Sequence, residues 1–151
     1  MIVEADGGPL GICISSANTN DAHLLAATIN AIVVYRPQPT QEEPQHLCLD
    51  KGYDNPRGEE AAKKAGYTPH IRRIGEEKKD DKGEKTHPAR RWVVERTFAW
   101  LSRWRGILIR WDKKDSNYLA NCKLACALLW FRKWHKLKQE VILPVAEPLS
   151  F

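Results

Sequence analysis

The stretch "HLCLDKGYDNPRGEEAAKKAGYTPHIRRI", residues 46–74, determines the class of fold. It opens with a short apolar strand pattern that ends on Asp50. Pro56 stands near the start of a predicted helix and Gly66 at its end, because proline suits a first helical turn and glycine a helix terminus. A second strand pattern follows in residues 68–74. A strand, a helix and a strand in this order predict an α/β protein.

The segments on either side of this unit extend the same pattern. The opening "MIVEADGGPLGICISS" is typical of a hairpin with a Gly-Gly turn. Asp21 is positioned to cap a helix whose apolar residues recur at helical spacing. The remaining expectations are a charged loop over 75–88, helices over 89–105 and 117–138, and an irregular tail over 139–151. The order β, β, α, β, α, β, α, α predicts a mixed sheet with helices on its faces.

Composition and charge indicate a single domain with a basic segment that could bind nucleic acid. A chain of 151 residues suits one domain with one modest core. Residues 72–114 carry 14 Lys and Arg against 7 Asp and Glu, with tryptophans interleaved. Such a segment can attract a phosphate backbone, or it can simply form a solvated surface. Its tryptophans can likewise stack on bases, although packing between helices is favoured because Trp burial is strongly stabilising.

Cysteine spacing and the absence of a long apolar segment predict an intracellular protein with no membrane contact. The four cysteines form no CxxC pair, so they are interpreted as reduced core residues. The N-terminus does not resemble a signal peptide, and the most apolar stretch, residues 124–131, is too short to span a bilayer. The expected location is therefore the inside of the cell.

Two acidic residues are candidates for chemistry, and each has a simpler alternative role. Asp50 lies at the carboxyl end of a predicted buried strand, where open α/β sheets bind their ligands. The residues of "DKGYD" are also common in turns and helix caps, so Asp50 could simply cap a helix or form a turn. Glu95 shares a helix face with Arg91 and Ser102, and could merely pair with Arg91 four residues earlier. Together, two carboxylates from a strand end and an adjacent helix would supply the oxygen ligands that Mg²⁺ accepts.

Two long stretches, residues 46–73 and 90–134, closely resemble the C-terminal part of bacterial insertion-sequence transposases of the DDE class, in the large group named after insertion sequence five. The motifs "DKGYD" and "WVVERTFAWL" within them are specific to that group, and the resemblance covers about residues 2–135. It implies a ribonuclease H-like fold with a mixed sheet and flanking helices. It also implies three acids that bind two Mg²⁺ or Mn²⁺ ions, and an enzyme that cuts transposon ends and joins them to target DNA. The location that it implies is the bacterial cytoplasm, in association with the nucleoid.

The resemblance assigns roles to particular residues. Asp50 matches the second acid and Glu95 the third, so both are expected to be catalytic metal ligands, and Arg91 matches the arginine of the family's signature. Where the family often has a basic residue, seven after Glu95, this chain has Ser102. Tyr53 beside Asp50 could reach phosphate or only shape the turn. The residues expected to contact DNA are Lys51, Arg103, Arg105, Arg110, Lys113 and Lys114.

The family's first catalytic aspartate lies upstream of the segment that "MIVEAD" resembles, and Asp6 and Asp21 are better interpreted as turn and cap residues. Residues 1–138 are therefore expected to be a partial catalytic domain, truncated at its N-terminus and lacking the first core strand. The expected function is a fragment or downstream half of a transposase, inactive alone and weak in Mg²⁺ binding. The alternative is a noncatalytic DNA-binding or inhibitory partner that oligomerises or associates with full-length transposase.

Overall fold

A computed structural model describes residues 1–71 and 90–142, with the side chains of Arg91 and residues 140–142 excepted. Its elements, in chain order, are β1 (Ile2–Val3), β2 (Pro9–Gly11), α1 (Asp21–Asn30), β3 (Gln45–Leu49), a 3-10 turn (Lys51–Tyr53), α2 (Pro56–Lys64), β4 (Tyr67–Ile71), α3 (Arg91–Leu101), α4 (Arg105–Leu108) and α5 (Asp115–Ile142). The predicted α/β class is confirmed. The loop predicted over 75–88 and most of the tail predicted over 139–151 lie outside the described residues.

The strands form two separate pairs instead of the predicted single mixed sheet. β1 and β2 are antiparallel, with Ile2 opposite Gly11, and β3 and β4 are parallel, with Leu47 opposite Pro69. Within residues 1–71 and 90–142, β1 has no strand neighbour but β2, and β3 none but β4. The two pairs are therefore not joined by backbone hydrogen bonds, and each keeps an open edge.

A first core forms between the parallel pair and the two helices next to it. Side chains alternate between the faces of a strand, so Leu47 points to one face of β3 while its neighbours in sequence point to the other. That face packs against α1 and α2. The buried members of this core are Ile2, Leu25, Ile29, Leu47 and Ala62.

The helices of this first core begin and end at residues with clear local signals. Asn55 caps α2, since its Oδ1 accepts a hydrogen bond from the amide of Gly58 at 2.9 Å. Pro56 is the first helical residue, and Gly66 ends the segment with a positive φ of 79°. The cap of α1 is Asn20, not the predicted Asp21, because Asn20 already accepts the amide hydrogen bond of Ala22 at 2.9 Å.

A second core joins the three C-terminal helices. Its buried residues are Leu101, Ala125 and Cys126, with Met1, Trp104, Ile107 and Leu129 packed against them. Thr97 on α3 is fully buried. Its hydroxyl lies 2.7 Å from the carbonyl oxygen of Gly7 and 3.1 Å from that of Val93. A buried hydrogen bond therefore joins α3 to the hairpin turn.

The hairpin turn is also held from inside and from α5. The Glu4 carboxylate accepts hydrogen bonds from the amides of Asp6 at 2.8 Å and Gly8 at 2.9 Å, and it forms an ion pair with Lys133. Burial acts to raise the pKa of Glu4, but these hydrogen bonds and the Lys133 charge together lower it below its ordinary value. Trp130 donates its indole N–H to the carbonyl of Pro9 at 2.6 Å.

Three details of the helices differ from the prediction. α3 ends at Leu101 and not near Arg105, because the extended backbone of Trp104 separates it from α4. Phe98, predicted on the apolar face with Val94 and Leu101, is 49% exposed and borders an apolar groove between α3 and α5. α5 begins and ends a few residues outside the predicted 117–138.

None of the helices in the described segments is long and apolar enough to cross a membrane.

The cysteines only partly match the predicted core positions. All four are free thiols. Cys122 and Cys126 are buried on α5, and burial raises the pKa of both thiols. Cys13 is half-buried, but Cys48 is exposed because it lies on the face of β3 that points away from the first core.

Thr97→Val tests the hydrogen bond between α3 and the hairpin. Valine keeps the shape but leaves the Gly7 carbonyl without its donor, so the free energy of unfolding should fall by about 1–2 kcal/mol. Urea denaturation of the full chain measures this. Ser102→Ala is the matched control, because that exposed hydroxyl donates only to Ala99 and its removal should change stability by less than about 0.5 kcal/mol. Equal effects of the two substitutions would contradict the interpretation.

Candidate metal and DNA site

Asp50 immediately follows β3, at the carboxyl end of the parallel pair, as the sequence predicts. Its Oδ1 accepts a hydrogen bond from the amide of Gly52 at 2.9 Å, which caps the 3-10 turn. The side chain is half-buried. Asp50 therefore caps a turn and also lies at the end of a strand, so both of the roles that its sequence position suggests are compatible with the structure.

The phenol of Tyr53 is influenced by the charges of two acids, Asp50 and Asp21. Burial raises the pKa of Tyr53 to about 12, and the negative charges of Asp21 and Asp50 add to the rise. Asp21 is the first residue of α1, which packs against the turn that carries Tyr53. From the sequence, Asp21 is interpreted as a helix cap and not as a metal ligand. The pair Asn20-Asp21 was the available signal, since only one of two adjacent residues can be the N-cap.

The position of Tyr53 favours one of its two suggested roles. The ring is half-buried and packs against the first core. Gly58 fits closely beside it, because a Cβ at that position would lie 2.6 Å from the Tyr53 carbonyl oxygen. Tyr53 therefore shapes the turn and fixes the backbone that presents Asp50.

Glu95 lies on the solvent side of α3. The buried side of that helix carries Val93, Thr97 and Leu101, whereas Glu95 and Ser102 are exposed. The predicted common face of these two residues is thus observed. Arg91, the third predicted member of that face, has no described side chain.

The two candidate acids belong to different parts of the structure. The turn after Asp50 packs mainly against α1 and α2, whereas α3 packs mainly against β1 and α5. Carboxylate oxygens suit Mg²⁺ chemically. Among residues 1–71 and 90–142, however, no three His, Cys, Asp or Glu side chains are grouped so as to hold a metal ion. The described part of the chain therefore does not by itself fit a two-ion centre.

All six residues predicted to contact DNA are basic side chains exposed to solvent. They are Lys51, Arg103, Arg105, Arg110, Lys113 and Lys114. Arg110 differs in its contacts, because its guanidinium pairs with Asp115, donates to the Asp112 carbonyl at 3.1 Å and lies 5.3 Å from the Tyr118 ring centroid. Arg110 is therefore engaged within the protein.

The tryptophans divide between packing and exposure. Trp100, Trp104 and Trp130 are partly buried. Trp92, Trp111 and Trp134 are 55%, 73% and 56% exposed, so helix packing does not account for every ring. Arg96 lies over Trp92 at 4.7 Å and over Trp100 at 5.0 Å from the ring centroids. These cation–π contacts hold Arg96 in place while it donates to the carbonyl of Asp6 at 2.7 Å.

The described residues thus include a strand-end aspartate, an exposed glutamate on a later helix and several exposed Arg and Lys side chains. The chain belongs to the transposase DDE domain family, whose model matches residues 1–130. It is 33% identical over 142 residues to a putative transposase for insertion sequence element IS402 of Burkholderia cepacia. That alignment covers 92% of this chain and 63% of the relative, so the chain spans less than two thirds of it. No solved structure matches the chain.

Tyr53→Phe tests the buried phenol beside Asp50. The pKa of Tyr53 is about 12 in the folded protein, against about 10 for an ordinary tyrosine. The unfolded chain therefore loses this proton first, so stability is fully present below about pH 10 and is lost as the pH rises towards 12.

Urea denaturation between about pH 9 and 12 should show a smaller alkaline loss of stability for Tyr53→Phe than for the unmodified chain. Tyr35→Phe is the control, since Tyr35 is 92% exposed. The same alkaline loss in both variants would show that Tyr53 is not the group responsible.

Proposed function

We propose that this chain supplies the C-terminal part of the catalytic domain of a DDE transposase in the group named after insertion sequence five. Its role would be to cut transposon ends and join them to target DNA. The observation that carries the proposal is the placement of Asp50 at the end of a parallel strand and of Glu95 on the open face of α3, within a chain of the DDE family.

In this proposal the site needs a further carboxylate besides Asp50 and Glu95, carried by a strand like the one that holds the family's first acid. Two features support it. The described acids form no group of three, although two-ion phosphoryl transfer requires one. In the described segments β1 and β3 each have an open edge, so a strand between them could join the two pairs in one ribonuclease H-like sheet.

Each group of residues then has a defined task. Asp50 and Glu95 would hold Mg²⁺ or Mn²⁺, weakly while the third ligand is missing, and the ion would stabilise charge on the phosphodiester oxygens. Arg91, four residues before Glu95, would support the acid or the DNA. Exposed basic residues from Arg103 to Lys114 would hold the phosphate backbone of the transposon end or target.

Nicking of DNA that carries the element's own ends tests the proposal. The 151-residue chain should be inactive with Mg²⁺ or Mn²⁺, whereas a version extended upstream through the family's first acidic strand should cut. In the extended chain, Asp50→Asn or Glu95→Gln should lower the rate on the order of 100-fold or more, because a metal ligand is removed. Glu59→Gln is the control, since Glu59 is a helical acid that pairs with Lys63 at 3.0 Å.

The outcomes separate two functions. Activity of the extended chain that survives Glu95→Gln would remove Glu95 from the site. Inactivity of both chains, together with inhibition of a full-length transposase, would instead favour the noncatalytic partner. The open strand edges are the feature that would allow such association.

The salt dependence of DNA binding tests the basic surface independently of cutting. The logarithm of the DNA association constant falls linearly with the logarithm of the salt concentration. Removal of one side chain that binds a phosphate should make this slope less steep by about 0.9. Arg103→Ala combined with Arg105→Ala should therefore flatten the slope by roughly one to two units. Arg110→Ala should change it less, because Arg110 is already paired with Asp115. Equal slopes for the unmodified chain and both variants would exclude Arg103 and Arg105 as phosphate-binding residues.

A further inference from the structure

A histidine pair spans the outer face of the parallel strands. Nδ1 of His46 on β3 lies 2.6 Å from Nε2 of His70 on β4, and the ring centroids are 4.8 Å apart with planes tilted by 37°. The strand register explains this approach. His46 is opposite Thr68, and His70 is opposite Cys48, so the two histidines are diagonal neighbours on one face.

That face is opposite the first core. Leu47 and Leu49 contribute to the core side of β3, so the alternation of side chains places His46 and Cys48 on the outer side. His46 and Cys48 are exposed, and His70 is half-buried. The histidine pair therefore lies on a face of the strands that solvent reaches.

Two imidazole nitrogens at this spacing have two chemical options. They can share one proton, in which case one ring donates and the other accepts. They can instead bind one metal ion, because nitrogens that each lie about 2.0–2.1 Å from a tetrahedral Zn²⁺ are roughly 3.3 Å apart. The observed separation of 2.6 Å is shorter than that value, so the two rings would turn and move apart to bind an ion.

We propose that His46 and His70 chelate a divalent transition-metal ion such as Zn²⁺, with water completing the coordination. Imidazole favours Zn²⁺, Ni²⁺ or Cu²⁺, whereas Mg²⁺ favours oxygen ligands. This site is therefore chemically distinct from the carboxylates proposed for catalysis. Among the described residues no third His, Cys, Asp or Glu joins the pair in a metal-binding group. The protein therefore supplies two ligands, and we expect a moderate affinity for the ion.

Binding at this site would cross-link the two parallel strands. β3 and β4 pair only with each other within the described segments, and β3 leads directly into Asp50. An ion held by one residue of each strand would stabilise the pair and thus the backbone that presents Asp50. The site would act on the stability of this unit, whether or not the chain takes part in DNA cleavage.

Thermal unfolding of the full chain with Zn²⁺ tests the proposal. At a concentration about one hundred times the dissociation constant, Zn²⁺ should raise Tm by roughly 5–10 °C. His46→Ala and His70→Ala should each abolish the shift. His23→Ala should retain it, since that histidine contacts Arg57 at 2.8 Å and lies on α1, away from the pair. Circular dichroism without metal checks that each variant is folded.

Direct binding gives a second readout that does not depend on unfolding. Zn²⁺ competition with a chromophoric chelator should show tighter binding to the unmodified chain and to His23→Ala than to either variant of the pair, by tenfold or more. Equal Zn²⁺ affinity of all four proteins would overturn the proposal. An equal Tm shift from Mg²⁺ at the same concentration would also overturn it, because two imidazoles do not favour Mg²⁺.

Discussion

The backbone at Gly7 and Gly8 is the place on which the arrangement of the two cores depends. Thr97 approaches the carbonyl of Gly7 to 2.7 Å, and Trp130 covers Gly8 so closely that an added Cβ would lie 2.7 Å from its Cη2 atom. Both helices thus contact main chain without an intervening side chain. The Gly-Gly turn is therefore a docking surface as well as a reversal of the chain.

Through this turn, the opening hairpin connects two structures that otherwise have different partners. Ile2 is buried in the first core, while Met1 packs against the second. Asp50 is carried by the first core and Glu95 by a helix of the second. Any change in how the hairpin sits between them would alter the relative positions of the two acids, even though neither acid belongs to the hairpin.

Local signals predicted much of this fold. Pro56 and Gly66 bounded α2, the Gly-Gly turn marked the hairpin, and the strand before Asp50 ended within one residue of its predicted end. Each of these depends on the backbone preferences of one or two residues, so a sequence suffices to reveal them.

Features set by long-range packing were not predictable in the same way. The choice of which tryptophans are covered and the exposure of Phe98 depend on where α3 and α5 dock. The contact of His46 with His70 required the register of a parallel pair, which spacing along the chain does not give. The approach of Asp21 to Tyr53 likewise follows from helix packing and has no signal in periodicity.

The contact between Trp130 and Pro9 also bears on the order of events during synthesis. The two residues are 121 positions apart, so at about 5–20 residues per second a ribosome needs roughly 6–24 s to make the second after the first. During that interval the hairpin emerges without the helices that cover its turn. The segment from β3 to β4, by contrast, contains its own pairing partner within 27 residues, from Gln45 to Ile71, and can form its hydrogen bonds as it is synthesised.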